Sequence, residues 1–189
     1  MSWRQIGMNV HKGLRKAESG MSLIETLLAM VILAVGISAM IGLFTVSSTY
    51  NHEQGNVGSR ASGFAEAKME ELLSLAFADS ATNTAVWPPA GAGGTGLCGA
   101  LGANGSCGGV DPATPLTNYV DYLDFQGARV SATAVDANGQ LRQFYVRQWM
   151  IQADATGNLK TITVRTTARR SLGARTAPFS VLISQKYNG

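Results

Sequence analysis

At 189 residues and 46% hydrophobic content, the chain is long enough for one domain with a real core and too short for two large ones. The formal net charge of +3 sits in the first twenty residues, where Arg4, Lys12, Arg15 and Lys16 outnumber Glu18, so the remainder is neutral and offers no broad basic surface for nucleic acid. Two cysteines and two histidines, without a CxxC pair, argue against a metal site, and no cofactor is expected.

Residues 1–20 form a polar, basic leader. From Met21 runs the apolar stretch MSLIETLLAMVILAVGISAMIGLFTVSSTYN, in which Glu25 is the only acid or base before His52. It exceeds the length of about 20 residues that crosses a bilayer, and the bases in front of it place that end in the cytoplasm. A secretory signal has a shorter apolar region, about 7–15 residues, closed by a small-residue cleavage site. A plain signal anchor would account for the charge and the apolarity. It would account neither for Glu25 nor for the glycine directly before Met21.

Helical spacing continues beyond the span. Val57, Ala61, Phe64, Ala65, Lys68, Met69, Leu72, Leu73 and Ala76 recur on one stripe, with Glu66, Glu70 and Glu71 on other faces. The pattern predicts one helix over 22–77, on the order of 80–85 Å long, apolar in its first half and amphipathic in its second. Gly36, Gly42, Gly55, Gly58 and Gly63 each weaken it locally by roughly 1 kcal/mol relative to alanine.

The segment 87–115, WPPAGAGGTGLCGALGANGSCGGVDPATP, has neither a helical nor a strand period. Its GAGGTG run lacks the following Lys-Ser/Thr of a phosphate loop. Beyond it the period becomes two. Strands are predicted at 143–153, 159–169 and 179–186, the first two joined by a turn at 154–158, with a further strand at 129–135 turned by 136–139. Ile162, Val164 and Thr166 face one way and Thr163, Arg165 and Thr167 the other. This predicts an α+β fold, in which the amphipathic half of the helix covers the one buried side of an antiparallel sheet.

The segment from Lys16 to Glu25 (KAESGMSLIE) joins a short basic leader, a glycine, an apolar residue and a glutamate five places after the glycine. It resembles the class III signal of type IV prepilins and type II secretion pseudopilins. The resemblance implies that a prepilin peptidase cuts after Gly20 and methylates the new N-terminus, Met21, which stands where phenylalanine is more usual. A glycine lacks Cβ and lets the backbone enter a narrow cleft, and a cut before the apolar run leaves the membrane helix on the mature chain. An acid in lipid costs on the order of 1–3 kcal/mol. A glutamate near a helix N-terminus also favours the helix dipole. The resemblance implies more: Glu25 meets the Met21 amine of a neighbouring subunit and sets the register of assembly. Many major pilins carry a proline where Gly42 stands, and glycine softens a helix without imposing a kink.

The runs AEAKMEELLSLA and YVRQWMIQADATGNLKTITVRTTARR, with the closing strand, are similar to PilV-type minor pilins. That likeness implies a non-catalytic subunit that initiates assembly of a type IV pilus. The implied layout is leader 1–20, membrane half of the helix 21–50 and periplasmic domain 51–189, the last divided into helix 51–78, glycine-rich loop 79–118 and sheet 119–189. The implied partners are the prepilin peptidase, other minor pilins, the major pilin and an inner-membrane assembly platform. The implied location is a single pass in the inner membrane, then the pilus at the cell surface. A type II secretion pseudopilin, or another pilin-like protein such as a competence subunit, stays open. A membrane-anchored periplasmic enzyme has little support, since His52 is the one histidine after the cut. An oxidising periplasm would join Cys98 to Cys107. Arg165, Arg169, Arg170 and Arg175 form a modest basic cluster, either a solvated sheet face or a surface for a partner.

Overall fold

The computed structural model describes residues 22–98, 105–169 and 177–189. The chain divides into two compact units, with the boundary between Thr45 and Val46. One helix, α1 (Leu23–Ser74), supplies the described part of the first unit and continues into the second. Among the described residues six strands follow: β1 (Ser106–Gly108), β2 (Val120–Leu123), β3 (Arg129–Val130), β4 (Tyr145–Ala153), β5 (Leu159–Ala168) and β6 (Phe179–Tyr187). They form one antiparallel sheet in the order β3-β2-β4-β5-β6, and β1 adds to β4 beside β2. A long N-terminal helix on a small antiparallel sheet is the α+β arrangement the sequence predicts.

The second half of α1 buries Ala61, Ala65, Lys68, Met69, Glu71 and Leu72. Ala65, Met69 and Leu72 pack with Trp149, Ile151, Ile162 and Val164 from β4 and β5. Ala61 packs with Leu123, Tyr145 and Ala168. The inward residues of β5 are those read from the alternation, Ile162, Val164 and Thr166, all fully buried.

Several expectations are corrected. The helix ends at Ser74, short of Phe77: the Ser74 hydroxyl turns back to the Glu71 carbonyl (2.7 Å), and a tight turn from Ala76 to Asp79 takes over. Glu71, expected on a polar face, is buried because its carboxylate reaches the equally buried Lys68 one turn back. β2 buries one side in alternation, β5 does so except at Thr163, and β6 half-buries its even-numbered residues. At β4 the outer face is covered too, by the chain after β1, where Gln148 donates to the Asp111 carbonyl (2.8 Å). The strand expected at 129–135 is two residues long, although the turn at Asp136 and Gly139 forms as read.

The described parts of the glycine-rich segment, 87–98 and 105–115, are tied to the rest of the domain. It contributes β1, and its first part is laced to the turn after α1. The Thr82 hydroxyl, helped by the backbone N–H groups of Thr82 and Ala81 at 2.9 and 3.0 Å, donates to Asp79 and holds its carboxyl below the usual range. Gly94 lies so close to the 82–83 backbone that a Cβ would stand 2.0 Å from the Asn83 Cα. At Gly96, with φ +48°, a Cβ would meet Asp79. These contacts, not flexibility, account for glycine at 94 and 96.

Candidate functional site

The described part of the first unit is the helix from its start to Thr45. Ser22 opens it, its carbonyl accepting from the Glu25 and Thr26 N–H groups at 2.9 and 3.2 Å. Glu25 therefore lies in the first turn, in the Ser-x-x-Glu spacing of a capping box. From Leu23 to Phe44 the large apolar side chains are exposed, and the helix is long and apolar enough to cross a membrane. Its hydroxyls return to the helix itself: Thr26 donates to the Leu23 carbonyl (2.9 Å), Ser38 to Ala34 (2.8 Å) and Thr45 to Ile41 (2.9 Å). That is the arrangement a lipid environment demands, where an unsatisfied polar group costs several kcal/mol. Glu25 is the one charged side chain of this segment. Gly20 and Met21 lie outside the described residues.

In the second unit a charge cluster joins helix to sheet. The Lys68 ammonium, fully buried, lies 3.0 Å from the Glu71 carboxylate, 3.6 Å from Asp121 of β2 and 4.0 Å from the centre of the Trp149 ring, and it also donates to the Thr84 carbonyl. Arg147 of β4 binds Asp121 at 2.7 and 3.2 Å and donates to the Phe64 carbonyl at 3.0 Å. Arg129 of β3 completes the set 3.2 Å from Asp121. Burial pushes Lys68 down, opposed by Asp121 and Glu71, and the same burial pushes Glu71 up. Two carboxylates thus sit among three bases in a water-poor interior, which fixes the angle and the register of helix on sheet. Sequence reading placed Lys68 on the apolar stripe but named none of its partners. A lysine at a core position of an amphipathic helix was the available signal that acids lay opposite.

Cys98 is joined to Cys107 of β1, with Cα atoms 6.0 Å apart. Cys98 and Leu97 belong to the core, so the bridge pins the glycine-rich segment to the sheet edge. In a chain-entropy treatment a ring this small adds roughly 2–3 kcal/mol. Replacing both cysteines with serine should lower the unfolding free energy read from urea titration by a matching amount. Alkylation of the native chain without reductant should label neither position.

The proposed basic cluster is not brought together as one surface by the described residues. Arg165 is on the outer face of β5, stacked over Phe179 at 4.8 Å, with its Nε donating to the Thr167 hydroxyl at 3.3 Å. Arg169 is exposed just past the end of β5, beside Gln140, Leu141 and Gln143. Arg170 and Arg175 lie outside the described residues. Among the described residues no cluster of His, Cys, Asp and Glu is suited to a metal ion.

Comparison with curated proteins and with solved structures gives no match. Residues 15–41 match the family described as the prokaryotic N-terminal methylation motif, a stretch that includes Gly20, Met21 and Glu25. On a helix this long and apolar, that motif supports a type IV pilin-like or pseudopilin-like protein with one membrane-anchoring segment.

Proposed function

We propose that the chain is a minor pilin, a structural subunit without catalytic activity that helps initiate type IV pilus assembly. The observation that carries this reading is the methylation motif at 15–41 on a helix whose apolar first half bears one charge, Glu25. In this reading the prepilin peptidase cuts after Gly20, and Met21 becomes the methylated N-terminus. Glu25, costly in lipid when alone, meets the Met21 amine of the next subunit. The mature chain stays in the inner membrane with the domain from 51 onward in the periplasm, until the assembly platform passes it to the major pilin and other minor pilins. The Cys98–Cys107 bridge suits an oxidising compartment.

The test is deletion of the gene, followed by complementation with the wild-type or the Glu25→Ala gene. Deletion should remove surface pili and twitching while pilin still accumulates in the inner membrane and exoenzyme secretion continues. The wild-type gene should restore pili. The Glu25→Ala chain should accumulate in the membrane yet be depleted from sheared filaments. Normal piliation with lost enzyme secretion would transfer the chain to the type II pseudopilins, which carry the same signal.

A further inference from the structure

The charge cluster around Asp121 is not balanced. Lys68, Arg129 and Arg147 bring three positive charges to the two carboxylates of Glu71 and Asp121. Lys68 and Arg147 are enclosed, whereas the Arg129 side chain is 34% exposed and carries the surplus to the surface. Arg129 turns its Nε–H to Asp121 (3.2 Å), and its four terminal N–H groups have no protein acceptor among the described residues. Arg147 uses its Nε–H and one N–H of each terminal nitrogen on Asp121 and the Phe64 carbonyl. One N–H on each terminal nitrogen is left over.

Both arginines line a cleft of about 190 Å³. The rest of its lining is apolar: Phe64 and Ala67 from α1, Leu123 from β2, Gly127 from the β2–β3 turn, and Trp87. Gly127 has φ +91°, and a Cβ there would stand 2.3 Å from Cε1 of the Phe64 ring, so glycine is what lets the turn close on that ring. Trp87 is 47% exposed, with its ring centre 5.8 Å from the Arg147 guanidinium carbon. A large aromatic surface left open beside such a cleft is the kind that anchors a ligand.

Size and charge together narrow what fits. A cavity of about 150 Å³ takes a benzene ring, while drug-sized ligands occupy about 300–1,000 Å³. The cleft therefore holds one ring with a short arm and is too small to enclose a nucleotide. Among the described residues no acid lines it, so a cation would meet only positive charge. A carboxylate matches the planar fork of arginine, and a bare inorganic anion would leave the apolar lining unused. We propose that this cleft binds a carboxylate joined to an aromatic group, with the carboxylate on Arg129 and the spare N–H groups of Arg147 and the ring against Phe64 and Trp87. The ligand supplies the negative charge that the cluster lacks. It arrives either as a small free acid or as the C-terminal residue of another chain. The inference does not rest on the minor-pilin reading and holds equally for a pseudopilin.

The test uses the full oxidised chain in a zwitterionic detergent, with para-fluorophenylacetate as the probe and its fluorine resonance as the readout. The protein should broaden that resonance saturably, and empty micelles should not. Phenylacetate should displace the probe. Acetate, inorganic phosphate and the neutral phenylacetamide should each need at least about tenfold higher concentration to do so. Arg129→Gln should weaken probe binding at least about tenfold, and Arg129→Lys, which keeps the charge without the fork, should weaken it less. Ala67→Leu fills the cleft without touching a charge and should also weaken binding at least about tenfold. Circular dichroism should stay unchanged in all three variants, since Lys68 and Arg147 still hold Asp121. Acetyl-Ala-Phe with a free C-terminal carboxylate separates the two sources. Tighter binding of this peptide than of phenylacetate identifies a chain terminus as the ligand, and the reverse order identifies a free acid. Saturable binding of neither, displacement by phosphate as effective as by phenylacetate, or wild-type probe binding in Arg129→Gln would each overturn the proposal.

Discussion

Lys68→Met destabilises the protein by about 3–5 kcal/mol at neutral pH, the range expected when one partner of a buried ion pair is removed. The methionine keeps the hydrocarbon stem against Trp149 but leaves the Glu71 carboxylate without the ammonium 3.0 Å away, while Arg147 stays committed to Asp121. Glu71 already has a carboxyl pushed up by burial, and the loss of Lys68 pushes it further. A carboxyl whose folded pKa lies above its unfolded value destabilises the fold above that folded pKa and is relieved as the pH falls through it. The deficit should therefore be larger at pH 8 than at pH 5. Urea unfolding of the full chain in detergent, followed by tryptophan fluorescence, reads both quantities. Lys68→Met combined with Glu71→Leu should recover a large part of the loss, since the two sites share one interaction. A single-variant cost below about 1 kcal/mol would show that the cluster is solvated and does not fix the helix on the sheet.

Gly20→Val should leave the chain as its uncut precursor. In the proposed maturation the peptidase must admit the residue before the cut into a cleft shaped for a bare backbone. One excess methylene in such a pocket costs about 1–3 kcal/mol, or 10–200-fold in kcat/KM. Gly20→Ala should slow processing roughly tenfold and Gly20→Val by a hundredfold or more on that scale. Mass spectrometry of the membrane fraction should find wild-type chains that begin at N-methyl-Met21, and Gly20→Val chains that keep the leader. A mature N-terminus beyond Ala39 in the wild type would mean ordinary signal cleavage and would remove the basis for the proposed roles of Gly20, Met21 and Glu25.

The parts of the fold that were legible in the sequence are those where side-chain period and burial agree. β5 and β6 alternate in burial and the helix shows its stripe, while β4, covered on both faces, is tied to β5 by the hairpin turn at 154–158. β2 was missed because its inward positions hold Asp121 and Leu123 while Val120 and Tyr122 face outward, so the alternation reads inverted. β1 is three residues of Ser-Cys-Gly and carries no pattern at all. Glu71 was placed on the wrong face for a related reason. Single-residue polarity says "out", and only the acid-base pairing across three elements says "in". The candidate assembly segment was legible because it depends on local order along the chain: a glycine, an apolar residue, a glutamate, an apolar run. The cluster around Asp121 depends on residues from 68 to 147 meeting in space, which no linear pattern announces.

The way the sheet holds the helix has a mechanical consequence. Three side chains of the sheet grip backbone carbonyls of α1 along its length: Tyr145 at Val57 (3.4 Å), Arg147 at Phe64 (3.0 Å) and Lys186 at Leu73 (2.6 Å). A pull along the helix axis meets all three side by side, in shear, together with the Lys68 contacts. They must yield at once rather than peel one after another. To slip to the next equivalent position the helix would have to travel a full turn, about 5.4 Å, with every grip broken on the way. The domain from Val46 onward is thus built to bear tension applied through its own N-terminal helix.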